Sequence, residues 1–98
     1  MRLDQWLWDV RIFHSRTVAA EAIKAGRVTA SGDRCKPAHW VRVGELIIVQ
    51  FREKERAWRV TGFPRSRVGA KLVPQFAEEV VYGDTAGVGA LYERQPVP

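Results

Sequence analysis

Four breaks crowd the front of the chain: Ser15, Gly26, the pair Ser31-Gly32 and the pair Lys36-Pro37. Each is a residue type that starts or stops regular structure, so only short helices and short strands fit between them. Ser15 is a helix N-cap, because its hydroxyl accepts a hydrogen bond from an otherwise unpaired helical N–H, and Gly26 supplies the left-handed stop at the far end. That spacing predicts a helix over 16–25. Ahead of it, Leu3, Leu7 and Val10 recur at i, i+4, i+7 with Trp6 alongside, which predicts a first helix over about 3–10 with one apolar stripe. In the second helix Val18, Ala19, Ala22 and Ile23 point inward. Arg16, Ala20 and Lys24 stack on a different face, and the small Ala20 between two cations lets a phosphate backbone come close.

After Gly26, Val28 and Ala30 alternate as a short strand, Ser31-Gly32 gives a turn, and Cys35 returns the chain as a second strand edge. The run Leu46-Ile47-Ile48-Val49-Gln50-Phe51 reads as a buried strand. Arg52 to Arg56 form a charged hairpin tip, and Ala57-Trp58-Arg59-Val60-Thr61 is the antiparallel return. Pro74 to Tyr82 fits one last helix with Pro74 in its first turn, Asp84 to Gly89 a flexible stretch, and Pro96-Val97-Pro98 a frayed end. The expected class is α+β: two N-terminal helices packed on a small, mostly antiparallel sheet, with a short C-terminal helix or tail. Residues 1–63 form the expected domain with its extended hairpin; residues 64–98 form a basic connection and a mildly acidic, partly flexible tail.

A chain of 98 residues holds one domain with a thin core and no large active-site architecture. Its net charge of +5 is unevenly spread. Residues 1–44 carry +4, residues 45–51 carry −1, residues 52–71 carry +5 and residues 72–98 carry −3. The basic part favours acidic partners such as nucleic acid, and the acidic end is unsuited to touching phosphate. Cys35 is the only cysteine, so an internal disulfide is impossible and a reducing cytosol is the simplest setting. A cytoplasmic protein with no membrane segment is expected.

The order Arg2-Leu3-Asp4, Arg11, Ser15-Arg16, Ala20, Ile23, Gly26, Val28, Gly32, Lys36-Pro37, Val43-Gly44-Glu45 resembles the S4 domain, an RNA-binding module named after a small-subunit ribosomal protein. The resemblance covers about residues 1–50. In that family a pair of helices, with the hairpin that follows, grips structured RNA. The wider layout, with Trp6-Leu7-Trp8 in the first helix and only a short extension behind the module, looks like the family's small stand-alone heat-shock branch. Members of that branch are associated with the large ribosomal subunit carrying a stalled nascent chain. Two departures stand out: Ser31-Gly32 replaces the more usual Asn-Gly, and the end of this chain is acidic where that branch is basic.

The resemblance implies a non-catalytic protein, with no cofactor and no small-molecule substrate, that docks as a monomer on ribosomal or transfer RNA, the large subunit foremost. Candidate RNA contacts are Arg2, Arg11, Ser15, Arg16, Lys24, Arg27, Arg34 and Lys36: arginine pairs with phosphate as a planar fork, lysine as a mobile point charge. Ser15 serves first as a cap, although a capped helix start beside Arg16 also suits an anion. Asp4 is expected to support the helix dipole and to orient Arg11. Trp8 is the candidate for base stacking, Trp6 and Trp58 belong to the core, and Trp40 in its loop is open between the two roles. His14, Cys35 and His39 make neither a metal site nor a nucleophilic pair, and Glu78-Glu79 cannot share a helix face as an acid/base pair. Two other readings remain: the targeting fragment of an RNA-modifying enzyme, and a protein-interaction adaptor that binds RNA incidentally.

Overall fold

A computed structural model describes residues 1–52 and 54–80. Two helices, α1 (Leu3–Asp9) and α2 (Arg16–Lys24), pack on an antiparallel sheet of five strands. These are β1 (Val28–Ala30), β2 (Asp33–Arg34), β3 (Leu46–Phe51), β4 (Lys54–Val60) and β5 (Ala77–Val80), in the order β2-β1-β3-β4-β5. The α+β class read from the sequence is the one observed.

Both helices stop in the same way. In α2, Gly26 sits at φ 82°, its N–H bonds the Ile23 carbonyl and the Arg27 N–H bonds that of Ala22, each at 3.0 Å. In α1, Arg11 takes the corresponding place at φ 66°, its N–H reaching Trp8 and that of Ile12 reaching Leu7, each at 3.0 Å. This double closure satisfies carbonyls the helix end leaves open, and it requires a left-handed residue that is usually glycine. At the start of α2 the Ser15 hydroxyl accepts from the Val18 N–H at 3.0 Å, as a cap should.

One core joins the layers. Leu3, Trp6, Leu7 and Val10 from the first helix region and Ala19, Ala22 and Ile23 from α2 close on Val28, Ile47, Val49, Trp58 and Val60 of the sheet. Along β3, Ile47 and Val49 are buried while Gln50 is exposed, the alternation of a strand with one covered face. Val18 is only half-buried, so the inward face of α2 is narrower than its sequence suggested. Trp6 is fully buried and its indole N–H finds the Gly62 carbonyl at 3.2 Å, which removes the penalty of an unpaired donor.

Three local expectations are corrected. The first hairpin returns through Asp33–Arg34, with Cys35 just beyond, donating its S–H to the Val28 carbonyl at 3.7 Å. The β3–β4 hairpin is longer than expected, because β4 begins at Lys54 and pairs it with Phe51. Within Pro74–Tyr82, the described residues form no α-helix: a 3-10 helix over Ala70–Gln75 leads into β5. Pairing with β4 fixes that strand, with Val60 opposite Ala77 and Trp58 opposite Glu79. Arg56 adds two hydrogen bonds to Glu79, both 2.7 Å, a bidentate pair that draws the Glu79 carboxyl below its usual range. The stretches Asp84–Gly89 and Pro96–Pro98 lie outside the described residues.

Candidate functional site

The candidate face is built where a loop docks on the start of α1. Lys36 and His39 close a turn through a 2.9 Å backbone bond. The Pro37 carbonyl accepts from the Asp4 N–H at 3.2 Å, the His39 carbonyl from Leu3 at 2.8 Å, and the Met1 carbonyl from Val41 at 2.9 Å. Those bonds satisfy amides that a helix start leaves unpaired, and they carry Lys36 and Trp40 to the N-terminal end of α1. Glu45 stiffens the loop from the other side: one carboxylate oxygen lies 2.8 Å from the His39 ring and the other accepts from the Arg42 N–H at 3.0 Å.

Asp4 ties the two helices together at this end. Its carboxylate is buried, accepts from Arg2 at 3.1 and 2.9 Å, and lies 3.5 Å from Arg16. Two cations on one carboxylate leave a net positive charge, while their side chains remain nearly half exposed. The expectation that Asp4 orients Arg11 is therefore corrected. A helix that ends at Asp9, with Arg11 left-handed beyond it, sends the Arg11 guanidinium elsewhere, to the Val68 carbonyl at 3.2 Å.

The remaining candidates are spread along α2. Arg2 and Arg16 come together with the Lys36 turn nearby; Lys24 and Arg34 meet at the opposite end, where the Arg34 guanidinium lies against Gly26 and donates to the Lys24 carbonyl at 3.0 Å. A nine-residue helix sets these two groups about 12 Å apart. Arg2, Arg11, Arg16, Lys24, Arg27, Arg34 and Lys36 are all exposed, whereas Ser15 is half-buried with its hydroxyl committed to the cap.

Trp8 is not an open platform. Arg67 lies 5.4 Å over its ring and donates to its carbonyl at 3.1 Å. The Val68 N–H also binds the Asp9 carbonyl at 3.0 Å, so part of the basic connection folds back onto α1. Trp6 and Trp58 are in the core, and Arg56 sits 4.9 Å over the Trp58 ring. Trp40, open between two roles in the sequence, is 66% exposed. No periodicity marks a loop residue as core or surface, which is why the sequence left it undecided.

Asp9 is the polar group that sequence reasoning missed. It is 1% exposed, and neither carboxylate oxygen meets a donor at hydrogen-bonding geometry. Burial pushes its carboxyl above the usual aspartate range, and the Gln5 amide and the charges of Arg16 and Arg67 offset this only in part. Among the described residues, no three His, Cys, Asp or Glu side chains gather as a metal site requires, and no helix is long and apolar enough to cross a membrane.

The family model of the S4 domain matches residues 1–47, the part that holds both helices, the docked loop and the first strands. A trimeric structure of heat shock protein 15 from Vibrio cholerae superposes with a TM-score of 0.77 at 30% identity, over 96% of this chain and 90% of that one. The chain belongs to the S4-domain family, in the branch formed by heat shock protein 15 and its homologues. It is 38% identical over 79 residues to a heat shock protein 15 homolog of Aeromonas salmonicida, a stretch that is 81% of this chain and 60% of that protein. An RQC P-site tRNA stabilizing factor of Listeria innocua is 37% identical over 54 residues, 55% of this chain and 59% of that protein. The chain thus spans about 60% of the length of these curated relatives.

Proposed function

We propose that this chain is a non-catalytic, cytoplasmic RNA-binding protein that docks on structured ribosomal or transfer RNA, on the large subunit, in the rescue of stalled ribosomes. The observation that carries the reading is the Asp4 carboxylate shared by Arg2 and Arg16, which holds in place one cation from the start of α1 and one from α2. Held guanidinium groups suit phosphate, since less side-chain freedom is lost when they bind. Lys36, Lys24, Arg27, Arg34 and Arg11 extend the positive surface, and residues 1–63 act as the binding domain. Support also comes from the Listeria relative, whose name refers to the P-site tRNA.

Co-sedimentation with purified ribosomal subunits at graded salt tests this. The wild-type chain pellets with the large subunit at low salt and is released steeply as salt rises. Charge reversal at Arg11 and Arg16 abolishes pelleting, with a thermal melt of the variant as the control that it is still folded, since Arg16 also pairs with Asp4; pelleting that survives the reversal rejects the basic face as the docking surface and favours the adaptor reading. Sedimentation of the free protein, run alongside, tests the expected monomer against the trimer described for the Vibrio relative.

A further inference from the structure

Trp40 is the most exposed of the large apolar side chains among the described residues, yet backbone hydrogen bonds tie down the residues on either side of it. The bonds Leu3 N–H to His39 carbonyl and Val41 N–H to Met1 carbonyl flank an antiparallel bridge between Arg2 and Trp40. In that arrangement the two central residues occupy the non-hydrogen-bonded position, where opposed side chains lie on one side and approach most closely, with Cα atoms about 4.5 Å apart. Trp40 thus shares one side of the bridge with Arg2, whose guanidinium Asp4 already fixes.

The surroundings select the kind of ligand. Nearby carboxylates are occupied: Asp4 by Arg2 and Arg16, Glu45 by His39 and the Arg42 N–H. Beyond Trp40, a shallow open groove runs past Arg42, Val43 and Gly44, too open to enclose a small molecule. A flat aromatic surface with cations at its edge matches a nucleotide, whose base stacks while its phosphate pairs. We propose that Trp40 is a stacking platform for an unpaired base of the bound RNA, with Arg2 and Arg16 holding the adjacent phosphate. This rests on the RNA-binding reading above and adds to it a preference for structured RNA that presents an unpaired nucleotide.

Equilibrium titrations with two probes test it: a hairpin RNA with an unpaired purine-rich loop, and a blunt duplex of the same stem sequence. Trp40→Ala weakens hairpin binding by roughly 5- to 150-fold, the range of one lost base stack. It leaves duplex binding and the salt dependence unchanged, since no phosphate contact is removed. Trp40→Phe restores most of the loss, and the melting temperature of both variants stays near wild type because the ring is exposed. Equal loss on both probes, or loss on neither, overturns the stacking role; if Arg16→Gln still weakens both, RNA binding itself stands. A wild-type chain that binds neither probe rejects the RNA-binding reading and this proposal with it. Loss of ribosome co-sedimentation by Trp40→Ala, with both RNA titrations unchanged, assigns Trp40 to a protein contact and overturns the proposal.

Discussion

Asp4 grips Arg2 through both ends of its carboxylate, at 3.1 and 2.9 Å, while the Asp4 backbone N–H is bound to Pro37. One residue therefore orients a cation and seats the loop that carries Lys36 and Trp40. Asp4→Ala raises the net charge by one unit, yet RNA affinity falls, because Arg2 and Arg16 lose their common anchor. Stability falls by about 1–2 kcal/mol, toward the low end for charged hydrogen bonds because both arginines are half exposed to solvent. Thermal melts and RNA titrations of the variant check both. A rise in affinity contradicts the anchoring role and leaves net charge as the sole determinant.

Arg11 holds a left-handed backbone where glycine is the ordinary choice. Replacing it relieves strain worth about 1 kcal/mol and removes an exposed hydrogen bond to Val68 worth about 0.5–1 kcal/mol. Arg11→Gly is accordingly as stable as wild type or slightly more so, but binds RNA more weakly. Chemical denaturation paired with RNA titration detects the split; unchanged affinity removes Arg11 from the interface.

The buried Asp9 gives a pH dependence with a definite sign. Its folded-state pKa lies above the ordinary 3.8, so the fold favours the protonated form. The stability tied to that form is full below the unfolded value and is lost as pH rises through the folded one. Toward neutral pH the buried carboxylate, which Gln5, Arg16 and Arg67 compensate only in part, becomes a liability. Asp9→Ala stabilises the protein there by about 1–3 kcal/mol and flattens the profile between acid and neutral pH. Urea melts across that interval decide it: a variant less stable than wild type at neutral pH means that Asp9 has a compensating partner.

The β1–β2 hairpin turns through Ser31 at φ 53° and Gly32 at φ 89°, the two positive angles of a type I′ turn. Serine is a poor fit for the first of these, and asparagine a good one. Ser31→Asn raises stability by about 0.5–1 kcal/mol, or roughly 2–8 °C in melting temperature for a domain of this size. A lower melting temperature contradicts the turn assignment.

The legible parts of the sequence are those governed by neighbours a few residues away. Ser15 caps Val18, Gly26 closes α2, and Leu46–Phe51 is a strand with the bounds its composition suggests. What escaped depends on distant partners. Glu78 and Glu79 after Pro74 look helical in isolation, and only the pairing of Ala77–Val80 with Ala57–Val60 makes them a strand. The expected Asp4–Arg11 link does not form because the helix stops before Arg11; Asp4 is held instead by Arg2 two residues before it and by Arg16 from the next helix. Trp8 lies off the core stripe, as its spacing suggests, but Arg67, far along the chain, covers it.

The central claim is that Arg16 and Lys36, set beside the Arg2–Asp4 pair, neutralise phosphates. The most direct test is the salt dependence of RNA binding for wild type and for the double variant Arg16→Gln/Lys36→Gln, which leaves Asp4 paired with Arg2. With four to six phosphates neutralised, wild-type log affinity falls against log salt with a slope of roughly −3 to −5. The double variant is predicted to show a slope shallower by about 1.4 to 1.8, with its fold intact. An unchanged slope in the folded variant contradicts the account.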